Sequence, residues 1–352
     1  MNLLLQAIGL ICVIINSSFA FGDVSPPISI TSPTSKPILV VGSTGRVGQS
    51  IVQKLRSKGL KTRVLIRREE DRVLFPNEEV FIGDVTSYES IKQATKDVSC
   101  VISVQGMKPP RISKFRDLFQ HPSKDLTHPY NVNFIGTKNI VDACKVNNVL
   151  KVVRLTGALT GKPANLPFIV IFNLLLSFSP KWHEMSENYI RSSGINYSVV
   201  RPTELKNDPT AAESNRSLIL IQGDSGLKPP IPGKISISDV SDLCILSATD
   251  NKFDFSSVIC SSTDRLNEYK DWNTLSQELE LKDYKKLNLQ PHTRIALVSG
   301  TIFVGFVSAL LTGLLLCIKT ALNYLVNYLP YIIGEIIRAI VGWKNVVKIA
   351  FF

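Results

Sequence analysis

The stretch KPILVVGSTGRVG, residues 36–48, decides the fold of this 352-residue chain. An aliphatic strand runs directly into a turn with the spacing Gly42-x-x-Gly45-x-x-Gly48, and apolar residues at helical spacing follow. Glycines permit a tight turn and let main-chain N–H groups approach a pyrophosphate, which then lies at the positive end of the helix. This order of strand, turn and helix predicts a dinucleotide site built from Gly42, Ser43, Thr44, Gly45, Arg46, Val47 and Gly48.

A second aliphatic run, residues 62–66, lies at the distance that closes a β-α-β unit. It ends in Arg67 and Arg68, where a protein that binds NAD(H) usually has Asp or Glu for the ribose hydroxyls. Two guanidinium groups suit a 2′-phosphate instead, so the sequence predicts NADP(H) as the cofactor. The alternative interpretation of these arginines is a solvated pair at the end of a strand.

Two further strands are predicted at residues 80–85 and 100–104. Ligands of parallel sheets bind at the carboxyl ends of the strands, which makes Asp84, Val85 and Gln105 candidate cofactor contacts. Asp84 has two interpretations, because it would serve equally well as a contact to the adenine region or as a helix N-cap. The alternation of strands and helices predicts an α/β fold with a doubly wound parallel sheet of the Rossmann type, over residues 37–265.

Several ordered blocks of the chain are similar to those of the NmrA-like atypical short-chain dehydrogenase/reductase family. They are the glycine turn and residues 83–85, 130–140, 193–202 and 235–240. The resemblance covers residues 37–265 and implies a Rossmann domain that binds NAD(P). Reductases of the wider superfamily use a Tyr-x-x-x-Lys pair to pass a proton to the substrate, and the resemblance places Ser179 and His183 at those two positions.

Three residues are candidates for catalysis, namely His183, Glu187 and Thr156. His183 and Glu187 are one helical turn apart, which suits a proton donor and a carboxylate that orients it. The alternative is structural, with Glu187 in a surface pair with Arg191. Thr156 follows the fifth predicted strand, residues 152–155, near the position of the superfamily's catalytic hydroxyl.

Two functions from different classes remain open because the Tyr and the Lys are missing. One is an NADPH-dependent oxidoreductase that acts on a hydrophobic small molecule such as a pigment, a quinone or a lipid. The other is a non-catalytic NADP(H)-binding redox sensor or assembly factor for a membrane protein complex. A basic insertion between Gly106 and Tyr130 is predicted to form a lid over the site, where it would admit an acidic substrate or touch lipid headgroups.

The start of the chain carries signals for targeting. An apolar stretch at residues 3–15, followed by small residues up to Ala20, predicts a signal peptide over residues 1–20, with an uncleaved anchor as the alternative. Residues 21–36 are rich in Ser, Thr and Pro and resemble the second part of a bipartite plastid presequence. The alternative is a linker that follows ordinary secretion, so the sequence favours the plastid over the endomembrane system.

The end of the chain predicts membrane attachment. After a polar linker, residues 266–294, the segment 295–318 has no charge over 24 residues and is long enough to span a bilayer. The remainder, residues 319–352, is apolar but contains Pro330, Glu335 and Arg338, which favours a second, hairpin-like span or a helix in the interface. A shorter apolar stretch, residues 166–178, is predicted to be buried or to dip toward the membrane.

The net charge of +11 raises the question of nucleic-acid binding. Lys and Arg are scattered, with no basic stripe interleaved with aromatic residues, so we expect no nucleic-acid partner. An anionic cofactor and the anionic surface of a lipid bilayer account for the same charge. The six cysteines show no metal-binding spacing, and we expect no metal.

Overall fold

The computed structural model describes residues 36–106, 122–162, 166–207, 217–223, 233–263, 271–279 and 290–350. The predicted signal peptide, nearly all of the presequence-like segment, most of the basic insertion and about half of the polar linker lie outside these residues. The chain divides into two compact units, residues 1–296 and 297–352.

The first unit contains a ten-stranded sheet. Its strands are β1 (Ile38–Val41), β2 (Thr62–Ile66), β3 (Glu79–Ile82), β4 (Cys100–Ser103), β5 (Lys151–Leu155), β6 (Asn196–Pro202), β7 (Glu204–Lys206), β8 (Ser217–Gln222), β9 (Lys234–Ser236) and β10 (Ser256–Thr263). The order is β3-β2-β1-β4-β5-β6-β10-β9-β7, and β8 pairs with β10. Strands β1 to β6 are all parallel to their neighbours, which is the doubly wound Rossmann arrangement that the sequence predicts.

Helices connect these strands and cover both faces of the sheet. They are α1 (Arg46–Ser57), α2 (Tyr88–Ala94), α3 (Gly136–Val146), α4 (Pro167–Leu175), α5 (Ser179–Ser192), α6 (Ile237–Thr249) and α7 (Trp272–Gln277), with a π-helical turn at Tyr130–Ile135 before α3. Antiparallel β8 and β9 flank β10 at the far side of the sheet.

The alternation of side chains along each strand produces two cores. Val40 of β1 packs in one core with Ile51 and Leu55 of α1 and with residues of α6. Leu39 and Val41 point to the opposite core, which α2, α3 and α5 cover. Strands buried on both faces are nearly continuous hydrophobic runs, and β1 accordingly has all four residues buried.

The second unit consists of most of a single helix, α8 (Gln290–Ala350). Within its part Gly305–Ala339, a window of 18 residues has a mean hydropathy of 1.9, and none of that window is buried. Those 35 residues correspond to about 53 Å of helix, against a hydrocarbon core of about 30 Å. By length and composition this is the one helix among the described residues that is suited to cross a membrane.

The sequence predicts a span over 295–318 followed by a separate segment, whereas the structure has one helix, α8, that runs through both. Pro330 lies inside the helix without ending it, because a proline removes only one main-chain donor and long apolar helices on both sides preserve the ladder. Glu335 and Arg338 form an i,i+3 pair at 3.2 Å, so these two charges offset one another.

Truncation tests whether α8 is a tether. A chain ending before Pro291 should remain soluble and bind the dinucleotide, because both cores are built from residues that precede α8. The full chain should stay in the membrane pellet after carbonate washing. Aggregation of the truncated protein together with carbonate release of the full chain would contradict this prediction.

Candidate functional site

The glycine turn after β1 leaves no room for a side chain at Gly42 or Gly48. Gly42 has φ of +86°, and a Cβ built on it would lie 2.7 Å from the main-chain N of Gln105, which follows β4. A Cβ on Gly48 would lie 2.2 Å from the carbonyl oxygen of Gly42. The turn is closed by Gly45 N donating to Gly42 O at 3.0 Å, and the buried Ser43 hydroxyl donates to Leu65 O at 2.9 Å. Gly42 and Gly48 are therefore required by close approach of the main chain.

The first turn of α1 is open to an anion. Gly45 is the N-cap, no side chain caps the helix, and its first turn contains no acidic residue. The first main-chain bond into the helix is Gln49 N to Gly45 O at 2.8 Å. The amides of Arg46, Val47 and Gly48 precede that bond, so they have the orientation and partial charge that favour a phosphate. The strand, glycine turn and helix that the sequence predicts are therefore present, and binding of a pyrophosphate at this turn stays a prediction.

The two arginines after β2 differ in their surroundings. Arg68 donates from Nη2 to Asp71 Oδ1 at 3.0 Å, and this hydrogen bond raises the pKa of Arg68 above its ordinary value. Arg67 is exposed, and no residue in the described part of the chain pairs with it. Arg67 is therefore the better placed of the two to contact a 2′-phosphate, while Arg68 would first have to leave Asp71.

The candidate cofactor contacts after β3 and β4, which are Asp84, Val85 and Gln105, take part in hydrogen bonds within the protein. Asp84 Oδ1 accepts from both the main-chain N and the hydroxyl of Thr86, each at 2.8 Å. The N-cap of α2 is Ser87, so the interpretation of Asp84 as an N-cap is wrong, because its carboxylate closes a turn one step earlier. Val85 is buried, and its carbonyl accepts from Asn139 at 2.9 Å. Gln105 is also buried and accepts from the Ser103 hydroxyl at 2.5 Å.

Glu187 is at the centre of a buried ion-pair network, not in a surface pair. Its Oε2 accepts from Arg201 Nη2 at 2.5 Å and from Arg191 Nη2 at 3.1 Å, and Oε1 accepts from Thr156 at 2.7 Å and Arg201 Nε at 3.1 Å. Glu187 is fully buried, because β6, which contributes Arg201, lies directly beneath α5. Burial raises the pKa of Glu187, but the guanidinium groups of Arg201 and Arg191 lower it by more, so the pKa is about 2.

His183 lies one turn before Glu187 but makes no hydrogen bond to it. Its Nε2 is 3.2 Å from Asn133 Nδ2, and its buried Nδ1 has no hydrogen-bond partner within the described residues. Burial, together with the charge of Arg154, lowers the pKa of His183 to about 3, so the ring is neutral near pH 7. The structure brings Thr156 and Glu187 into contact and places His183 beside them, while their catalytic roles stay predictions.

Two buried residues of this site are not singled out by the sequence motifs. Arg154 of β5 is completely buried and donates from Nη1 to Ser103 O, to Ser103 Oγ and to Gln105 O. Asn133 lies in the π-helical turn, a feature often found at functional sites. The signal for Arg154 was present in the sequence, because an arginine in the middle of an apolar parallel strand is exceptional.

Comparisons with known proteins identify the family of the chain. The profile of a family described as NAD(P)H-binding matches residues 42–251. An uncharacterised chloroplastic protein of Arabidopsis thaliana is 30 % identical over 226 residues, which cover 60 % of this chain and 66 % of that protein. The chain spans 61 % and 36 % of two further chloroplastic relatives from that plant.

The chain is also similar to a reductase and to a solved structure. Sanguinarine reductase from Eschscholzia californica is 25 % identical over 234 residues, covering 59 % of this chain and 82 % of the reductase. The crystal structure of the oxidoreductase YlbE from Lactococcus lactis superimposes with a TM-score of 0.51 at 15 % identity, over 69 % of this chain and 96 % of that one. At that identity the likeness concerns the fold alone.

The surroundings of the two arginines give a prediction for cofactor choice. Arg67→Ala should weaken NADPH binding on the order of tenfold and leave NADH binding nearly unchanged, because it removes a charge-assisted bond that only the 2′-phosphate makes. Arg68→Ala is the matched control with a smaller expected loss, and the double variant should lose the preference for NADPH. Fluorescence titration with both nucleotides measures the effect, and equal losses for NADPH and NADH would refute the assignment.

The Glu187 network gives a prediction for stability. Glu187→Gln should destabilise the protein by about 3 kcal/mol, because the buried guanidinium of Arg201 and the partly buried one of Arg191 lose their carboxylate. The pKa of Glu187 is about 2 in the folded protein against an ordinary 4.5, so its contribution is present above pH 4.5 and is lost as the pH falls toward 2. The variant's loss should therefore be full at pH 7 and shrink below pH 4.5.

Thermal unfolding of the full chain in detergent at several pH values measures this difference. Glu184→Gln is the control, because Glu184 lies on the same helix and burial raises its pKa, so its ionised form contributes no comparable stability. Similar losses for both variants would show that the Glu187 network is not the cause.

Proposed function

The chain belongs to the NAD(P)H-binding family, and from this premise we propose that it is a membrane-anchored oxidoreductase that uses NADPH. The observation that carries the proposal is the contact between the glycine turn and the end of β4, where Gly42 packs against Gln105. This contact joins the pyrophosphate turn to the buried polar residues at the ends of β4 and β5. A dinucleotide on the turn would therefore extend over side chains able to position a substrate.

The preference for NADPH over NADH rests on Arg67. Its guanidinium is exposed at the carboxyl end of β2, the position at which dinucleotide-binding folds contact the adenosine ribose. No residue of β2 or of the turn after it offers an acid in place of Arg67. The acids that follow are Glu69, Glu70 and Asp71, of which Glu69 pairs with Arg72 and Asp71 pairs with Arg68.

The cofactor, when bound, supplies a hydride from the nicotinamide ring. The residues of this chain would orient the acceptor. With a pKa of about 3, His183 is neutral at physiological pH, and a neutral imidazole assists by hydrogen bonding more readily than by giving up its proton. Thr156 already donates its hydroxyl to Glu187 and would hold that carboxylate in place.

A hydrophobic substrate is supported by two observations. Gly305–Ala339 is suited to hold the chain at a membrane, where such molecules partition. Helix α4 exposes Ile171, Phe172 and Leu175, each at 40 % or more, which is unusual for a soluble surface. The similarity to sanguinarine reductase agrees with reduction of a small molecule, and the chloroplastic relatives support delivery to the plastid, with the endomembrane system as the alternative.

A second function is favoured by the missing proton donor. Ser179 and His183 occupy the positions of the Tyr and Lys, and Ser179 Oγ accepts from Asn133 at 3.3 Å. Neither side chain can imitate a tyrosine activated by a lysine. A non-catalytic NADP(H)-binding sensor or assembly factor for a membrane protein complex would use the same cofactor site without any proton transfer.

A turnover assay separates the two functions. The full chain in lipid nanodiscs should bind NADPH and oxidise it in the presence of a quinone, followed by NADPH absorbance under anaerobic conditions. Gly45→Val is the control, since its φ of −74° suits a branched residue while the side chain would obstruct the pyrophosphate path, so the protein should fold but neither bind nor oxidise NADPH. Tight NADPH binding without oxidation by quinone, pigment or lipid acceptors would favour the sensor.

A further inference from the structure

Arg154 is a buried charge with unused hydrogen-bonding capacity. Its side chain is completely buried, and its Nη1 serves all three acceptors that the guanidinium contacts. Nε and Nη2 are buried without a hydrogen-bond partner anywhere in the described part of the chain. A buried guanidinium normally has a partner for every donor, because an unpaired buried charge costs several kcal/mol. Burial lowers the pKa of Arg154 to about 9, which reflects that cost.

The nearest carboxylate cannot supply the missing partner. Both oxygens of Glu187 already accept bonds from Arg191, Arg201 and Thr156, and none comes from Arg154. Glu187 is therefore committed to these other residues and leaves Nε and Nη2 of Arg154 without an acceptor.

Two neighbours of Arg154 also have unused polar atoms. His183, whose pKa the charge of Arg154 helps to lower, has an unpartnered Nδ1, and Asn133 has an unpartnered Oδ1. Asn133 and His183 contact each other at 3.2 Å, and Arg154 contacts Gln105, which adjoins the glycine turn. Four unpartnered polar atoms, on three residues, are therefore concentrated beside the candidate cofactor site.

The free atoms of Arg154 define the chemistry of their missing partner. Nε and Nη2 carry adjacent, nearly parallel N–H bonds, and this fork matches the two oxygens of a carboxylate. We propose that Arg154, with His183 and Asn133 beside it, binds a carboxylate group of the substrate. This inference rests on the proposed function and narrows it, since the substrate would be an acid with an apolar body. Water molecules that satisfy the same atoms are the competing explanation.

Benzoate and benzamide test the proposal, because they share one shape and differ in charge. The full chain in detergent is saturated with NADP⁺ and titrated with each compound. Benzoate should bind at least about tenfold more tightly than benzamide, and Arg154→Gln should remove that preference. Arg63→Gln is the matched control, because Arg63 is also buried in the sheet but has its donors committed to Glu79 and to the Ala94 carbonyl.

A second measurement applies even if Arg154→Gln fails to fold. The Nε–H resonance of Arg154, assigned with Arg154→Lys, should shift when benzoate is added to the wild-type chain and should not shift with benzamide. Equal affinity for the two compounds, or an unmoved resonance, would overturn the carboxylate subsite and favour internal water. If NADP⁺ itself fails to bind, the proposed function falls, and the subsite proposal falls with it.

Discussion

The structure depends on the close packing of the turn after β1 against helix α1 and against the end of strand β4. The 2.2 Å separation between a Cβ on Gly48 and the Gly42 carbonyl means that any side chain there would push α1 away from the sheet. The same turn contacts Gln105, so β1 and β4 end at a common level. One core and the open amides of α1 follow from that constraint, because α1 contributes its buried face to that core and its first turn to the site.

The ion-pair network of Glu187 fixes the part of the site that contains His183 and Thr156. Glu187 of α5 connects through Arg201 to β6, through Thr156 to the end of β5, and through Arg191, which also donates to Ser257, to β10. Such a network gains little net stability over apolar residues but is costly to break, so its main effect is to fix position. It holds α5 so that His183 lies over the ends of β4 and β5.

The sequence predicts the fold well because its signals are local. The glycine spacing and the aliphatic runs specify strands, turn and helix directly, and the order of β1 to β6 follows from them. The roles of Asp84 and Glu187 were not predictable in this way. Whether Asp84 caps a helix depends on a hydroxyl three residues later, and whether Glu187 is buried depends on Arg201, which lies on another element. Such contacts are tertiary, and no periodicity reports them.

The neutral state of His183 limits the chemistry that either proposed function can use. Burial is the first cause of its low pKa, and the charge of Arg154 is the second. A carboxylate bound to Arg154 would offset the effect of the Arg154 charge on the pKa of His183. It would also exclude water, which increases the effect of burial on that pKa. His183 would therefore remain neutral in the occupied site, acting as a hydrogen-bonding group that orients a ligand. A proton for reduction would then have to come from solvent, which makes access of water to the ends of β4 and β5 the feature that separates an oxidoreductase from a sensor.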